Sequence, residues 1–382
     1  MKKTLFILTA ILALTCYGQQ TKHNNFELTV SPIIDKNDKT NQIIIETLTK
    51  FLKTKNNSST ENKHWAQSDF QKYIYPYMDI YNIENSKYGK DFYQPTLIEI
   101  ITTESANKKI LKLAFIGHNN KTKENQLKAI YNLIANIYQD KILFSRYLNL
   151  STENWKTINN ESLTYKISPN KIVNEIEITE QQNDISKICQ LFNCNPIPII
   201  YYSCVNPKEI FEIKGFDYNS MMYINKSGGL ADYGNIIFSG NNTEIYTHEI
   251  IHIYTANLFP KIDKFIDEGL ATLIAGSGKY DYKWHRNKLG KFLDENKDYN
   301  FAEHTDAYER IYFENETSIP YFTSALILER TLRIYGKEKL IELLKSENGL
   351  WIILKTVGLT KENINEELRR EIKLPLTPFS FN

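Results

Sequence analysis

The segment His248-Glu249-Ile250-Ile251-His252 constrains this chain more than any other. The pattern H-E-x-x-H carries chemistry only on a helix. There, side chains at i and i+4 lie one turn apart on one face, so both imidazoles can reach a single Zn2+. Glu249, next to the first histidine, can then sit over a metal-bound water as its general base. The bland alternative is a coincidence on an amphipathic helix whose buried face is Ile250 and Ile253.

A second stretch weighs against coincidence. A catalytic zinc takes three protein ligands and keeps one position open. Glu268, in Phe265-Ile266-Asp267-Glu268-Gly269-Leu270-Ala271, lies 268 − 252 = 16 residues past the second histidine. Between them, Asn257-Leu258-Phe259-Pro260 should end the first helix, because proline disfavours helix at the residue before it. A second helix from Lys261 or Ile262 can then fold back toward the metal. With these two motifs the sequence resembles the gluzincin metallopeptidases, whose third ligand is a glutamate in an aromatic-x-x-Glu-Gly-Leu-Ala stretch. The resemblance implies His248, His252 and Glu268 as ligands of Zn2+, with Glu249 as the base. Taken singly, Glu268 reads as a surface carboxylate and Gly269 as a packing point.

The resemblance continues more loosely at Tyr321-Phe322-Thr323-Ser324, which opens an apolar-periodic helix running through Arg333. A second helical stretch with Leu340, Leu343 and Leu344 follows Tyr335-Gly336. In gluzincins a tyrosine or histidine beyond the third ligand often donates to the oxyanion, which implies that role for Tyr321. The family often has glycine where Ser324 stands, and His304, Tyr308 and Tyr312 are rival donors among 25 tyrosines. Upstream, the small residues around Gly229 to Ala231 followed by Asn235 to Phe238 read as a sheet edge or a glycine hairpin. Zinc peptidases of this type hold substrate along such an edge, where backbone pairing gives affinity without demanding a sequence. Asn242 or Thr243 should cap the metal helix, with Glu244 in its first turn. Asp267 and Thr272 are the candidates for fixing a ligand imidazole through its other nitrogen.

The rest of the chain bounds this reading. Lys2-Lys3 and the apolar run Leu5 to Leu14 read as a secretory signal, too short to span a bilayer and cleaved before Gln19. Lipidation at Cys16 is the alternative, disfavoured by the bulk of Thr15. Export would allow one disulfide among Cys189, Cys194 and Cys204, against buried free thiols as the other reading. With 46 basic and 45 acidic residues there is no electrostatic footprint for nucleic acid.

The expected fold class is α+β, in two domains beyond residues 1–18. Residues 19–168 should form a small α+β domain, vaguely like a nuclear-transport-factor-2 cone. Its predicted helices are Ile43 to Lys53, Phe70 to Tyr81 (interrupted at Pro76) and Glu124 to Tyr138. Its predicted strands are Pro95 to Thr102, Lys109 to Gly117, Ile142 to Tyr147 and Leu163 to Ile167. Residues 169–382 should be the gluzincin-like domain, a small mixed sheet and a mainly helical C-lobe. A helix at Thr179 to Phe192, a strand at Ile197 to Tyr202 and a short helix at Pro207 to Ile213 open it. Strands near Met222 to Ile224 and Asn235 to Phe238 follow, and from Glu244 to Glu371 the chain reads almost entirely helical.

The implied activity is hydrolysis of a peptide or protein substrate outside the cytoplasm. An endopeptidase is favoured, because the Gly-x-Met-Glu-Asn stretch of the aminopeptidases is absent. Two rivals remain: an exported binding or scaffold protein with a structural or vestigial zinc site, and a zinc hydrolase of another amide such as a cell-wall crosslink.

Overall fold

The structure, a computed structural model, describes residues 28–139 and 141–377. The expected signal segment and Cys16 lie outside the described residues. Two sheets and a helical C-terminal part make the fold mixed α and β, the class expected from the sequence.

The first sheet is built from β1 (Thr29–Val30), β2 (Tyr93–Thr102), β3 (Lys108–His118), β4 (Asn125–Tyr138) and β5 (Lys141–Arg146), in that spatial order. Helices α1 (Lys39–Thr54) and α2 (Gln67–Tyr73) lie between β1 and β2 in the chain. Asp38 starts α1 by accepting the Asn41 N–H at 2.7 Å. Ile44, Leu48, Phe51 and Leu52 then form its buried stripe, packed in one core with Leu97, Leu111, Leu113, Phe115, Leu133 and Phe144 of the sheet. The helix predicted over Phe70 to Tyr81 stops at Tyr73, where Ile74 takes a positive φ of 62°.

The predicted helix Glu124 to Tyr138 is instead strand β4, the centre of the sheet, paired with both β3 and β5. Its residues from Tyr131 to Ala135 are all buried, so the inside–outside alternation that marks a half-exposed strand is missing.

After α3 (Leu148–Ser151), strands β6 (Lys156–Asn160) and β7 (Leu163–Ile167), helix α4 (Glu175–Phe192), strand β8 (Ile199–Ser203) and helix α5 (Pro207–Ile213) begin the second unit. The next strand, β9 (Phe216–Asn219), returns to the first sheet and pairs with β4. It replaces the strand predicted near Met222 to Ile224; Met222 is a buried residue of the first core. Strands β10 (Gly229–Asp232) and β11 (Ile236–Ser239) complete a second sheet in the order β10-β11-β8-β7-β6, with β8 parallel to both neighbours. Residue 168 is therefore a connection inside one sheet, since β7 before it pairs with β8 after it.

Alternation along these strands sorts side chains between two cores. Tyr201 and Ile237 face the helices, while Tyr202, Ile236 and Phe238 face α3 and α5. The core on the first of these faces includes α4 together with α6 (Thr247–Leu258), α7 (Lys264–Ala275), α8 (Tyr282–Glu295) and α9 (Ile319–Leu344). A two-residue hairpin, β12 (Tyr312–Phe313) with β13 (Thr317–Ser318), precedes α9; α10 (Leu350–Lys355) and α11 (Ile364–Glu371) close the chain. Helix α9 bends at Gly336 (φ 81°, ψ −177°), the break expected after Tyr335. Among the described residues no helix is long and apolar enough to cross a membrane. The three described cysteines are free thiols.

Candidate metal centre

Helix α6 begins at Thr247, later than the expected caps Asn242 or Thr243, and Tyr246 occupies the cap position without a side-chain cap bond. The Tyr246 N–H is satisfied from another helix, by Gln181 Oε1 at 2.5 Å. Glu244 does not enter the first turn; it is buried and paired with Lys171 at 2.7 Å. The helix ends at Leu258, before Pro260, as the proline requires. Asp263 then caps α7 through the Phe265 N–H at 2.9 Å, so α7 starts at Lys264 rather than at Lys261 or Ile262.

The two helices bring His248, His252 and Glu268 together. Each imidazole Nε2 lies 3.4 Å from Glu268 Oε2, and one ligand atom from each residue falls within 4.8 Å of the others. The outer nitrogens are engaged elsewhere. His248 Nδ1 donates to the Gly276 carbonyl at 2.8 Å, which turns Nε2 toward the cluster. His252 Nδ1 is 3.1 Å from Asp267 Oδ2. Asp267 is held in turn by Thr255 Oγ1 at 2.6 Å and Lys264 Nζ at 2.9 Å. Of the two residues named for this contact, Asp267 stands at ion-pair distance from His252 Nδ1. Thr272 does not: its hydroxyl is buried with no polar partner.

Electrostatics in this cluster are those of bases sharing protons. Burial opposes the His252 imidazolium, but the Asp267 and Glu268 carboxylates outweigh it and lift the His252 pKa to about 10. Burial likewise opposes ionisation of Glu268, and the two imidazoles override it, holding the carboxyl well below the usual carboxylate range. Two neutral-capable nitrogens and one carboxylate, without any thiol, form a donor set that suits zinc. Three protein donors leave the fourth position of a tetrahedron open.

Glu249 is placed by the sheet. Strand β10 is the edge of the second sheet, and the Ala231 N–H donates to Glu249 Oε2 at 2.8 Å. Gly229 lets this edge come close: a Cβ there would stand 2.1 Å from the Phe238 carbonyl oxygen and 2.6 Å from the Tyr246 ring. The Tyr246 phenol also faces Glu249, and burial together with that carboxylate pushes it up. A cavity of about 370 Å³ opens beside His248, with Tyr246, Thr247, Ala275 and Gly276 in its wall.

Tyr321, on the first turn of α9, reaches the cluster. Its ring stacks toward His248 with centroids 6.4 Å apart, and burial and the adjacent Glu268 push its phenol up. The close fit of α7 on α9 puts it there. A Cβ on Gly269 would lie 2.1 Å from Ser324 Oγ, so glycine after Glu268 is what lets the helices touch. Of the rivals, His304 is occupied by Glu309 at 2.9 Å and stacks on Tyr299, and Tyr308 is largely exposed. Tyr312 is exposed on β12 and contributes to the electrostatics at Tyr321.

Three contacts have no counterpart in the sequence reading: the Gly276 carbonyl, the Ala231 N–H and the Tyr246 phenol. Two of them are backbone groups, which a residue pattern does not encode. The glycine at 276, with φ 71°, is the faint signal of the first, because it marks the end of α7.

No protein-family model matches the sequence, and no curated protein matches it. Among solved structures the chain is similar to a crystal structure of a variant two-domain M1 zinc metallopeptidase bound to L-tryptophan. The identity is 12%, over 77% of this chain and 67% of that chain, with a TM-score of 0.31. The likeness is distant, and the chemistry of the site rests on its own side chains.

Proposed function

We propose that this chain is an exported zinc-dependent peptidase whose chemistry resides in residues 169–382. The observation that carries the reading is the convergence of His248 Nε2, His252 Nε2 and Glu268 Oε2, with Glu249 fixed beside them by the Ala231 N–H. In this reading His248, His252 and Glu268 hold the ion, and bound zinc supplies Lewis-acid activation of water and of a scissile carbonyl. Glu249 accepts the proton of the attacking water and passes it to the leaving nitrogen. Tyr321 donates its O–H to the oxygen on which negative charge develops. The cavity beside His248 takes a side chain of the peptide. Export rests on the Lys2-Lys3 start and the apolar run from Leu5 to Leu14.

The test is metal analysis of the purified full chain, followed by mass spectrometry of products from a diverse peptide mixture. One zinc per chain and new peptide termini, both absent in a His248→Ala/His252→Ala variant, are expected. A chain that holds zinc but cleaves no peptide, envelope crosslinks included, would overturn the peptidase reading in favour of a structural site.

A further inference from the structure

Two cysteines stand together where α4 ends against the metal-bearing helix α6. Asn193 terminates α4 in the left-handed conformation, φ 52° and ψ 53°. This turn folds the chain back so that the Cys194 N–H donates to the Cys189 carbonyl at 3.0 Å. A disulfide requires Cα atoms roughly 4.4–6.8 Å apart, and a chain doubled back by a bond between the same two residues comes into that range. Cys189 is the side chain that, besides burial, acts on the Cys194 thiol. Both are partly accessible and packed on the main core. Cys189 Sγ also donates to the Tyr254 hydroxyl at 3.4 Å, and the Ile197 N–H donates to the same oxygen at 3.1 Å. Tyr254 is fully buried on α6, and Phe192 meets Phe259 edge-on at 5.4 Å just beyond it. The third described cysteine, Cys204, is fully buried in the separate core on the opposite face of the second sheet.

We propose that Cys189 and Cys194 form a dithiol site that closes to a disulfide and staples the turn after α4 to the last turn of that helix, where it lies against α6, leaving Cys204 reduced. The oxidant is a small or protein disulfide. One cysteine thiolate attacks a sulfur of that disulfide, forming a mixed disulfide and releasing one thiolate. The second cysteine, deprotonated, then attacks the protein sulfur, forming the Cys189–Cys194 bond and releasing the second thiolate. The pair loses two electrons and two protons, and the oxidant becomes two thiols. Burial and the adjacent Cys189 push the Cys194 thiol up to about 11, so the reaction quickens as pH rises.

The experiment treats the full chain with oxidised glutathione, then unfolds it, alkylates remaining thiols and maps the peptides by mass spectrometry. The expected product is a Cys189–Cys194 linkage, two hydrogens lighter than the dithiol, with Cys204 alkylated. In the Cys194→Ser variant the linkage disappears and glutathione stays on Cys189. The proposal is overturned if both cysteines are still alkylated after oxidation, if wild-type Cys189 keeps its glutathione, or if either cysteine joins Cys204.

Discussion

At the scale of single residues, the candidate centre separates groups that would hold metal from groups that would move protons. Glu249→Gln keeps the shape and the Ala231 contact but has no lone pair basic enough to take a proton from water. Turnover should fall about 10²–10⁴-fold with zinc content unchanged, and full activity in this variant would remove Glu249 as the base. Glu268→Ala removes a ligand and should strip zinc under dialysis; an unchanged metal stoichiometry would exclude Glu268. Asp267→Asn weakens the hold on His252 and should cost about 10–100-fold in zinc affinity. Proton linkage has a definite sign. The His252 pKa of about 10 in the metal-free chain means that at pH 7–8 the ring carries a proton that zinc must displace. Glu268, held well below the usual range, is already ionised there. Zinc binding should therefore release about one proton from His252 and tighten as pH rises from 7 toward 10. Calorimetry in buffers of different ionisation enthalpy checks this, and a buffer-independent heat would contradict it. The grouping of these side chains was legible in the sequence because the 4-residue spacing of the histidines and the Glu-Gly-Leu-Ala stretch encode side chains directly. The groups that steady them, the Gly276 carbonyl and the Ala231 N–H, are backbone, and only the glycine at 276 marks one of them.

Among elements, the site depends on how α7 lies on α9. Gly269 is the contact point, with Ser324 Oγ 2.1 Å from where its Cβ would stand. Gly269→Ala forces the helices apart, because backbone of Ser324 lies behind the hydroxyl and cannot rotate away. About 1–3 kcal/mol of destabilisation is expected, from overpacking that outweighs alanine's better helix propensity. The displaced α9 should also carry Tyr321 away from Glu268. Urea unfolding reads the first effect, and unaltered stability would mean that the helix pair can slide. Elements followed the sequence at α5, expected and found over Pro207–Ile213, and at the break of α9 after Tyr335, while α1 starts at Lys39 rather than Ile43 because Asp38 caps it. They departed where burial erased periodicity. Strand β4 presents Tyr131 through Ala135 as an unbroken buried run, which a helix interior would also show. Strand β9 departed for a different reason: four residues are too short to show a period, and its partner β4 is remote in the chain.

For the whole molecule, the first sheet is not a bystander to the candidate site. Arg146, at the end of β5 and 3% exposed, lies 3.4 Å from Asp79 and 3.3 Å from Asp232, with the Tyr73 ring 4.6 Å from its guanidinium carbon. Asp232 is the last residue of β10, one position after the Ala231 whose N–H holds Glu249. The buried arginine thus ties the first sheet to the strand that holds the Glu249 carboxylate. Lys214 shares the same two aspartates, at 2.8 and 3.7 Å, so it can take over part of the charge when Arg146 is lost. Arg146→Met leaves two largely buried carboxylates with one cation instead of two. Removing one partner of a buried pair costs about 3–5 kcal/mol, and Lys214 should lower that figure here. The two readouts of this variant are expected to diverge. Zinc affinity should stay as in the parent chain, because its three donors lie on α6 and α7, which Arg146 does not touch. Hydrolysis should fall, because β10 loses its anchor and Ala231 no longer fixes the Glu249 carboxylate. Equilibrium zinc titration beside peptide turnover separates the two. Equal losses in both would mean that Arg146 supports the fold in general, and no loss in either would mean that β10 is held by its pairing with β11 alone.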